Sequence, residues 1–395
     1  MNGFITIPNE LIYTLVQHPW FQRLGRIRQL GLANVVYPGA VHTRFQHSLG
    51  AMHLASEAVK TLRQKGHNIS PAEENGVLVS MLLHDIGHGP FSHVLEPILL
   101  DGVSHEQISR AMMRTVNEEM NGRISLALNI FDDVYDRHFL HQLVSSQLDM
   151  DRLDYLCRDT FYTGVAEGGV GAARIIKMLE VWDDRLVVES KGIYTIESFL
   201  IARRQMYWQV YLHKTSVAAE KMLIKILLRA RQIINTGRRL FASPPLLYFL
   251  QNHIDIHRLQ SDPEVLDMYV SLDDSDIISA VKVWSHDDDI VLATLSANFI
   301  NRRLFKAVTG DERDTFCDDE LIKSYSDHYD ISPQDAAYFF DNVEVRSNAY
   351  NPDGSNIVIL YPDGHQQDVV KASEVFSTEL ISRSITKPYL FYMPI

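Results

Sequence analysis

A mainly α-helical chain with a smaller α+β lobe at its C-terminal end is what this sequence predicts, on three observations. Apolar residues between Asn9 and Ile234 recur close to the 3.6-residue period of a helix. A helix start is spelled out at Ser70-Pro71-Ala72-Glu73, with an N-cap, a first-turn proline and an acid that can reach back to the cap. Strand-like runs are few, and apart from one hairpin they fall near the end, at 356–361 and 389–392.

Taken in order, Leu11, Ile12, Leu15, Val16, Phe21, Leu24 and Ile27 predict two short helices broken at His18-Pro19. A loop around Tyr37-Pro38-Gly39 leads to a helix in which Ala51, Leu54, Ala55, Ala58, Val59 and Leu62 share one face, with Arg44 and His47 near its start. The next helix begins at Ser70 and delivers His84 and Asp85. Ser104 opens another. A single helix is expected over 138–156, carrying Asp149, Asp151 and Asp154; three aspartates in one amphipathic helix imply that some are solvated. Residues 186–194 read as a hairpin turning at Lys191-Gly192, and long helices resume at Ile196. A soft boundary at Asn235-Thr236-Gly237 divides the chain into 1–235 and 236–395, the second part being expected to assist oligomerisation or regulation. Pro362-Asp363-Gly364 is a turn between strands.

Composition narrows the function. With 46% hydrophobic and 22% charged residues among 395, the chain has ample core for a soluble globular protein. No run approaches the roughly 18 apolar residues that span a bilayer, and Met1 to Glu10 lack a basic, then apolar, leader, so the cytoplasm is the default location. Two cysteines, Cys157 and Cys317, exclude a disulfide framework and a cysteine-rich zinc site. The balance of 37 basic against 50 acidic residues argues against extended nucleic-acid contact. Residues 1 to 50 run the other way, with Arg23, Arg26, Arg28 and Arg44 against Glu10 alone, which suits a small polyanion such as a nucleotide.

The chemistry concentrates in Leu82-Leu83-His84-Asp85-Ile86-Gly87-His88-Gly89-Pro90-Phe91-Ser92-His93, three histidines and an aspartate behind an apolar run. A buried imidazole and carboxylate at a hydrophobic helix end need a strong reason to be tolerated, and a divalent cation is one. His47, His84, Asp85 and Asp151 together offer a two-nitrogen, two-oxygen set suited to a first-row ion such as Mn, Fe, Ni, Co or Zn.

That order of residues resembles the HD superfamily of metal-dependent phosphohydrolases. Within it, Phe21-Gln22-Arg23-Leu24, Gln29-Leu30-Gly31, Pro38-Gly39-Ala40, Arg44 to Gly50, His84 to His93, His105-Glu106, Asp151 to Asp159 and Tyr211-Leu212-His213-Lys214 are similar to the dNTP triphosphohydrolases typified by the vertebrate SAM-and-HD-domain enzyme, over residues 17 to about 235. The resemblance implies an HD-domain helical core and hydrolysis of a deoxynucleoside triphosphate to deoxynucleoside and triphosphate. It implies one tightly bound metal on His47, His84, Asp85 and Asp151, with Mg²⁺ accompanying the triphosphate. His93, tuned by Glu96, would protonate the leaving oxygen, and His88 and His105 would meet phosphate oxygens. Arg44, Arg152, Lys214 and Arg203 would bind the triphosphate. Gln29, Leu30, Tyr155, Asp159 and Tyr211 would surround the sugar. Self-association as a dimer or tetramer is implied too.

Three departures qualify the match. Arg152 and Glu96 stand where the vertebrate enzyme has a lysine and an aspartate. Gln17 and Gly25 replace the aspartate and arginine that grip guanine in its regulatory site, which predicts no GTP activation by that route. Only Asn2-Gly3-Phe4 resembles the family's N-terminal segment and no SAM domain is present, both expected of a compact bacterial-type member. From the residues alone, two alternatives stay open: an HD phosphohydrolase for an NTP, an NMP or a cyclic dinucleotide, and a nucleotide-binding regulatory module with a structural metal.

Overall fold

Caps and breakers written into the chain set its helices. The structure, a computed structural model, describes residues 3–347, 356–375 and 385–395. Asn9 accepts from the amide of Ile12 to start the helix Glu10–Gln17, and His18-Pro19 ends it. Thr43 and Gln46 form a reciprocal capping box at the head of Arg44–Gln64, whose face of Ala51, Ala55, Ala58, Val59 and Leu62 is buried. Ser70 and Glu73 do the same for Pro71–Leu83, as do Ser104 and Gln107 for His105–Glu119. Helix Pro71–Leu83 stops at His84, ahead of Gly87 and Gly89-Pro90, so the chain turns through the 84–91 stretch that carries the chemistry. Among the described residues no helix is long and apolar enough to cross a membrane.

Two expectations are corrected here. Residues 138–156 are not one helix: His138–Val144 ends at Ser145, and Asp149 caps a second helix, Met150–Thr163, by accepting from the amide of Arg152 at 2.7 Å. The hairpin lies earlier than Lys191-Gly192 suggested. Strand β1 is Leu179–Trp182 and β2 is Arg185–Glu189, joined by Asp183-Asp184, both left-handed at φ +47° and +58°. Aspartate tolerates that region better than most side chains, while Ser190–Gly192 is instead a 3₁₀ turn leading into helix Ile193–Met206. A π-helical turn, Tyr207–Tyr211, follows before helix Lys214–Asn235.

Beyond residue 235, helices Pro244–Gln251, Pro263–Val270, Asp274–Trp284 and Ile290–Ile300 pack on Lys214–Asn235 and on one another. Strands β3 (Lys306–Thr309), β4 (Phe340–Ser347), β5 (Val358–Leu360), β6 (Gln366–Asp368) and β7 (Ile385–Tyr392) complete the chain. One sheet, ordered β3-β7-β4, is antiparallel and belongs to this late part alone. The other, β1-β2-β5-β6, is shared: β5 lies parallel to β2, with Val188 opposite Ile359, and turns back as β6 after Pro362-Asp363-Gly364. Among the described residues, a buried apolar cluster runs from Ile12 to Met393.

Candidate active site

Three helices bring His47, His84 and Asp151 to one point. His47 lies in the first turn of Arg44–Gln64, His84 at the C-terminal cap of Pro71–Leu83, and Asp151 in the first turn of Met150–Thr163. One donor atom from each lies within 4.8 Å of the other two. Nε2 of His47 is 3.0 Å from Asp151 Oδ1 and 3.4 Å from Nε2 of His84, which is itself 3.4 Å from the same oxygen.

The second nitrogen of each ring settles what faces inward. Nδ1 of His84 lies 2.7 Å from the Met81 carbonyl, and Nδ1 of His47 lies 2.9 Å from Asp154 Oδ2. A carbonyl and a carboxylate only accept, so both Nδ1 atoms carry hydrogen, and the Nε2 atoms, which face each other and Asp151, are the ones left to hold a proton or a metal. Two imidazole nitrogens and a carboxylate so close call for a positive charge among them, a proton on His47 or a metal in its place, and the donor set fits a divalent first-row ion. The same field raises His47: burial lowers its pKa, but Asp151 and Asp154 overcome that and hold it at about 10.

Asp85 flanks this point, with Oδ2 3.6 Å from His47 Nε2 and Oδ1 3.3 Å from His84 Nε2. It is paired with Arg44 and lies 3.1 Å from His88 Nδ1. Despite burial, those positive neighbours hold its carboxyl well below the usual range.

The expectation of a solvated aspartate is corrected as well. Asp149 and Asp154 are fully buried, and Asp151, partly exposed, points into the histidine pair. Each has a structural reason. Asp149 caps the helix and takes Arg152 Nη1 at 3.2 Å; Asp154 takes both His47 and Arg158, the latter at 2.8 and 2.9 Å. Asp154 was not singled out from sequence, although its place three residues after Asp151, one turn along the same helix, was the available signal. Gly50 leaves the room it needs, since a Cβ there would sit 2.0 Å from Asp154 Oδ1.

A second cluster adjoins the first. One donor atom each from His88, His93, Glu96 and His105 lies within 4.8 Å of the others. Glu96 Oε1 is 3.1 Å from Nδ1 of both His93 and His105. Burial is outweighed by His105 and His93, so the Glu96 carboxyl sits well below its ordinary range and stays ionised. His88 is buried and neutral, pushed well down by burial and by Arg44.

The loop between the clusters is held from below by the distant C-terminal region. Phe91 and Ser92 are both left-handed, at φ +54° and +58°, a conformation that costs about 1–3 kcal/mol at each non-glycine residue. Asp274, buried at the start of helix Asp274–Trp284, accepts from the amides of Phe91 at 2.8 Å and Arg28 at 3.1 Å. Arg26 donates to Asp273 at 2.5 Å, Arg23 to the Leu272 carbonyl at 3.0 Å, and Tyr269 to the Gly87 carbonyl at 2.8 Å. Ser92 in turn donates to the carbonyls of Arg28 and Gln29 and accepts from Arg44 Nε at 2.9 Å. Neither Tyr269 nor Asp274 was a candidate from sequence, because nothing local links them to residues 180 positions away.

The remaining sequence candidates divide by position. Arg44 joins the metal cluster through Asp85. Arg152, Tyr155 and Arg203 are neighbours: Arg203 donates to Gln147 Oε1 at 2.8 Å and lies 6.0 Å from the Tyr207 ring. Burial keeps the Tyr155 hydroxyl protonated, with Arg152 and Arg203 acting against it. Tyr155 meets Tyr211 edge-on at 6.1 Å, and Tyr211 donates to Asp159 Oδ2 at 2.8 Å. His42, missed from sequence, takes the other oxygen of Asp159 at 2.7 Å. The Gln29 carbonyl accepts from Ser92, and its Oε1 is buried without a hydrogen bond among the described residues, while Leu30 is half-buried against the core. Lys214 is exposed at the head of its helix, and no hydrogen bond among the described residues ties it to the others.

Two imidazole Nε2 atoms and a carboxylate aimed at one cation position, with an ionised glutamate and further histidines alongside, define a metal-centred hydrolytic site on a helical scaffold. The chain belongs to the HD-domain phosphohydrolase family. The HD domain model matches residues 44–159 and the HD associated region matches 170–238. The fold is similar to that of a phosphohydrolase from Bacteroides thetaiotaomicron, with a TM-score of 0.95 and 53% identity over 99% of this chain and 98% of that one. Among curated relatives, the uncharacterised protein YwfO of Bacillus subtilis is 34% identical, covering 78% of this chain and 70% of its own length. The human deoxynucleoside triphosphate triphosphohydrolase SAMHD1 is 27% identical over 59% of this chain, and the match spans 44% of that enzyme. Metal-dependent phosphohydrolase chemistry follows from family and site together.

Proposed function

We propose that this protein hydrolyses deoxynucleoside triphosphates to deoxynucleoside and inorganic triphosphate. The observation that carries the reading is the order of groups along one helix. Asp151, Tyr155 and Asp159 recur at four-residue intervals in Met150–Thr163, so they share a face over about 12 Å. Metal ligand, ring wall and hydroxyl acceptor thus follow one another as phosphate and sugar do in a nucleotide.

His47, His84 and Asp151, with Asp85, would hold the ion. When bound, it supplies a water acidified toward neutral pH and a charge to offset that building on the phosphate. The protein's own groups supply the rest. Arg44 and Arg152 are fixed cations for the triphosphate oxygens. A sugar 5′-oxygen is a poor leaving group and needs a proton. His93, mostly exposed and steadied at Nδ1 by the ionised Glu96, can donate it from Nε2. Tyr155, with Tyr211 edge-on behind it, would crowd a 2′-hydroxyl, and Asp159 retains lone pairs for the 3′-hydroxyl.

The test is to incubate the protein with each dNTP and NTP plus Mn²⁺ or Mg²⁺ and follow phosphorus NMR. Triphosphate released from deoxynucleotides alone is the expected outcome. Pyrophosphate or orthophosphate as product, or equal turnover of NTPs, would overturn the reading. Binding without turnover would point instead to a regulatory module.

A further inference from the structure

We propose that His88, His93, Glu96 and His105 form a second, inhibitory binding site for a divalent transition ion of the zinc and cobalt class. Three features place it there. His88 comes from the turn after helix Pro71–Leu83, His93 and Glu96 from the adjoining turns Ser92–Val94 and Glu96–Leu99, and His105 from the head of helix His105–Glu119, yet each offers a donor atom within 4.8 Å of the other three. Glu96 Oε1 stands 3.1 Å from Nδ1 of both His93 and His105, the separation expected of neighbouring ligands about 2.0–2.2 Å from a shared ion.

The third feature is unsatisfied chemistry. His88 Nδ1 lies 3.1 Å from Asp85 Oδ1 and so carries the hydrogen on that side, which makes Nε2 a lone pair. That Nε2 is buried and has no hydrogen-bond partner among the described residues. His105 Nδ1 is buried too, and although close to Glu96 it is off the line of a hydrogen bond. The rings of His88 and His105 stack at 4.0 Å, with His93 edge-on to both at 5.0 and 4.8 Å. Three imidazoles and one carboxylate are a donor set for a borderline-soft cation rather than for Mg²⁺.

An ion here requires the His93 Nδ1 lone pair and an oxygen of Glu96, the two atoms whose contact steadies His93. Micromolar Zn²⁺ should therefore inhibit hydrolysis. That inhibitory consequence rests on the role proposed for His93 above; the binding does not.

The experiment is a Co²⁺ titration of the full-length protein without substrate, read by bound metal per chain and by the visible d–d bands of cobalt. Two equivalents are expected. The second, with its own bands, should be lost in His93→Ala and in Glu96→Gln, while His47→Ala should lose the first and keep the second. Thermal unfolding of each variant checks that it is folded, and His105→Gln serves as the replacement if one is not. One equivalent in the wild type, or a second that survives in His93→Ala and Glu96→Gln alike, overturns the proposal. Because no substrate is present, failure to find dNTP hydrolysis leaves the binding result standing, and the converse holds.

Discussion

Replacing Asp274 with alanine should damage activity more than stability, and the balance should change with pH. The substitution leaves the amides of Phe91 and Arg28 without their acceptor. An orphaned buried donor costs about 1–3 kcal/mol, so the pair costs roughly 2–6 kcal/mol. Against this, burial pushes the Asp274 carboxyl up to about 6, despite the pull of those two amides. Relative to the ordinary 3.8, keeping it ionised at neutral pH costs the folded chain roughly 3 kcal/mol. The folded state holds the proton more tightly, so wild-type stability falls as pH rises from about 4 through 6 and then levels off. Alanine removes that cost together with the hydrogen bonds. Net destabilisation at pH 7.5 should therefore lie between about −1 and about 3 kcal/mol, and it should be larger at pH 5 by roughly 1–2 kcal/mol. Activity has no such compensation, because Phe91 and Ser92 lose the contact that offsets their left-handed backbone, and Ser92 carries Arg44. A fall of about tenfold or more in hydrolysis is expected. Urea unfolding at the two pH values and a steady-state assay check this. Equal destabilisation at both pH values, or activity within twofold of wild type, would refute the reasoning.

Three further outcomes follow from the same geometry. Asp154→Asn removes the charge, and one of the two acceptor oxygens, that His47 and Arg158 share, and metal affinity should drop about 10–100-fold, measured by metal retained after dialysis; unchanged content would count against Asp154 as the group that orients His47. Metal must displace the proton that Asp151 and Asp154 hold on His47, against burial, up to about pH 10. Affinity should then rise about tenfold per pH unit from 7 to 9, with about one proton released in calorimetry across buffers. Gly87→Ala would place a Cβ 2.3 Å from the Ser109 amide and 2.5 Å from the His105 carbonyl, backbone that cannot move aside. Unfolding measurements should show a loss of about 3 kcal/mol or more, whereas Gly25→Ala, with nothing within 4 Å, should be close to neutral.

Local signals were legible and distant ones were not. Ser70, Ser104 and Thr43 start helices as their own residue types and third neighbours specify, because a cap is a contact within four residues. Where two local readings competed, structure could choose the less obvious one: Asp183-Asp184 turns the hairpin, and Lys191-Gly192, an ordinary turn pair, does not. The convergence of His47, His84 and Asp151 could be suspected from residue type and resemblance, since each sits at a helix end that the pattern already located. Asp274 could not be. Its carboxylate is one of several in an acidic stretch, and only tertiary packing, which buries it with Asp273 and sets it against the amides of Arg28 and Phe91, singles it out.

The union of β2 with β5 shows how late the molecule becomes itself. Val188 and Glu189 wait for Ile359 and Leu360, as Arg23 and Phe91 wait for Leu272 and Asp274. On a ribosome, every candidate metal ligand from His47 to Asp151 emerges more than a hundred residues before the chain that anchors their loop. In chain order, the groups that would hold an ion therefore come before the residues that fix the loop beside them.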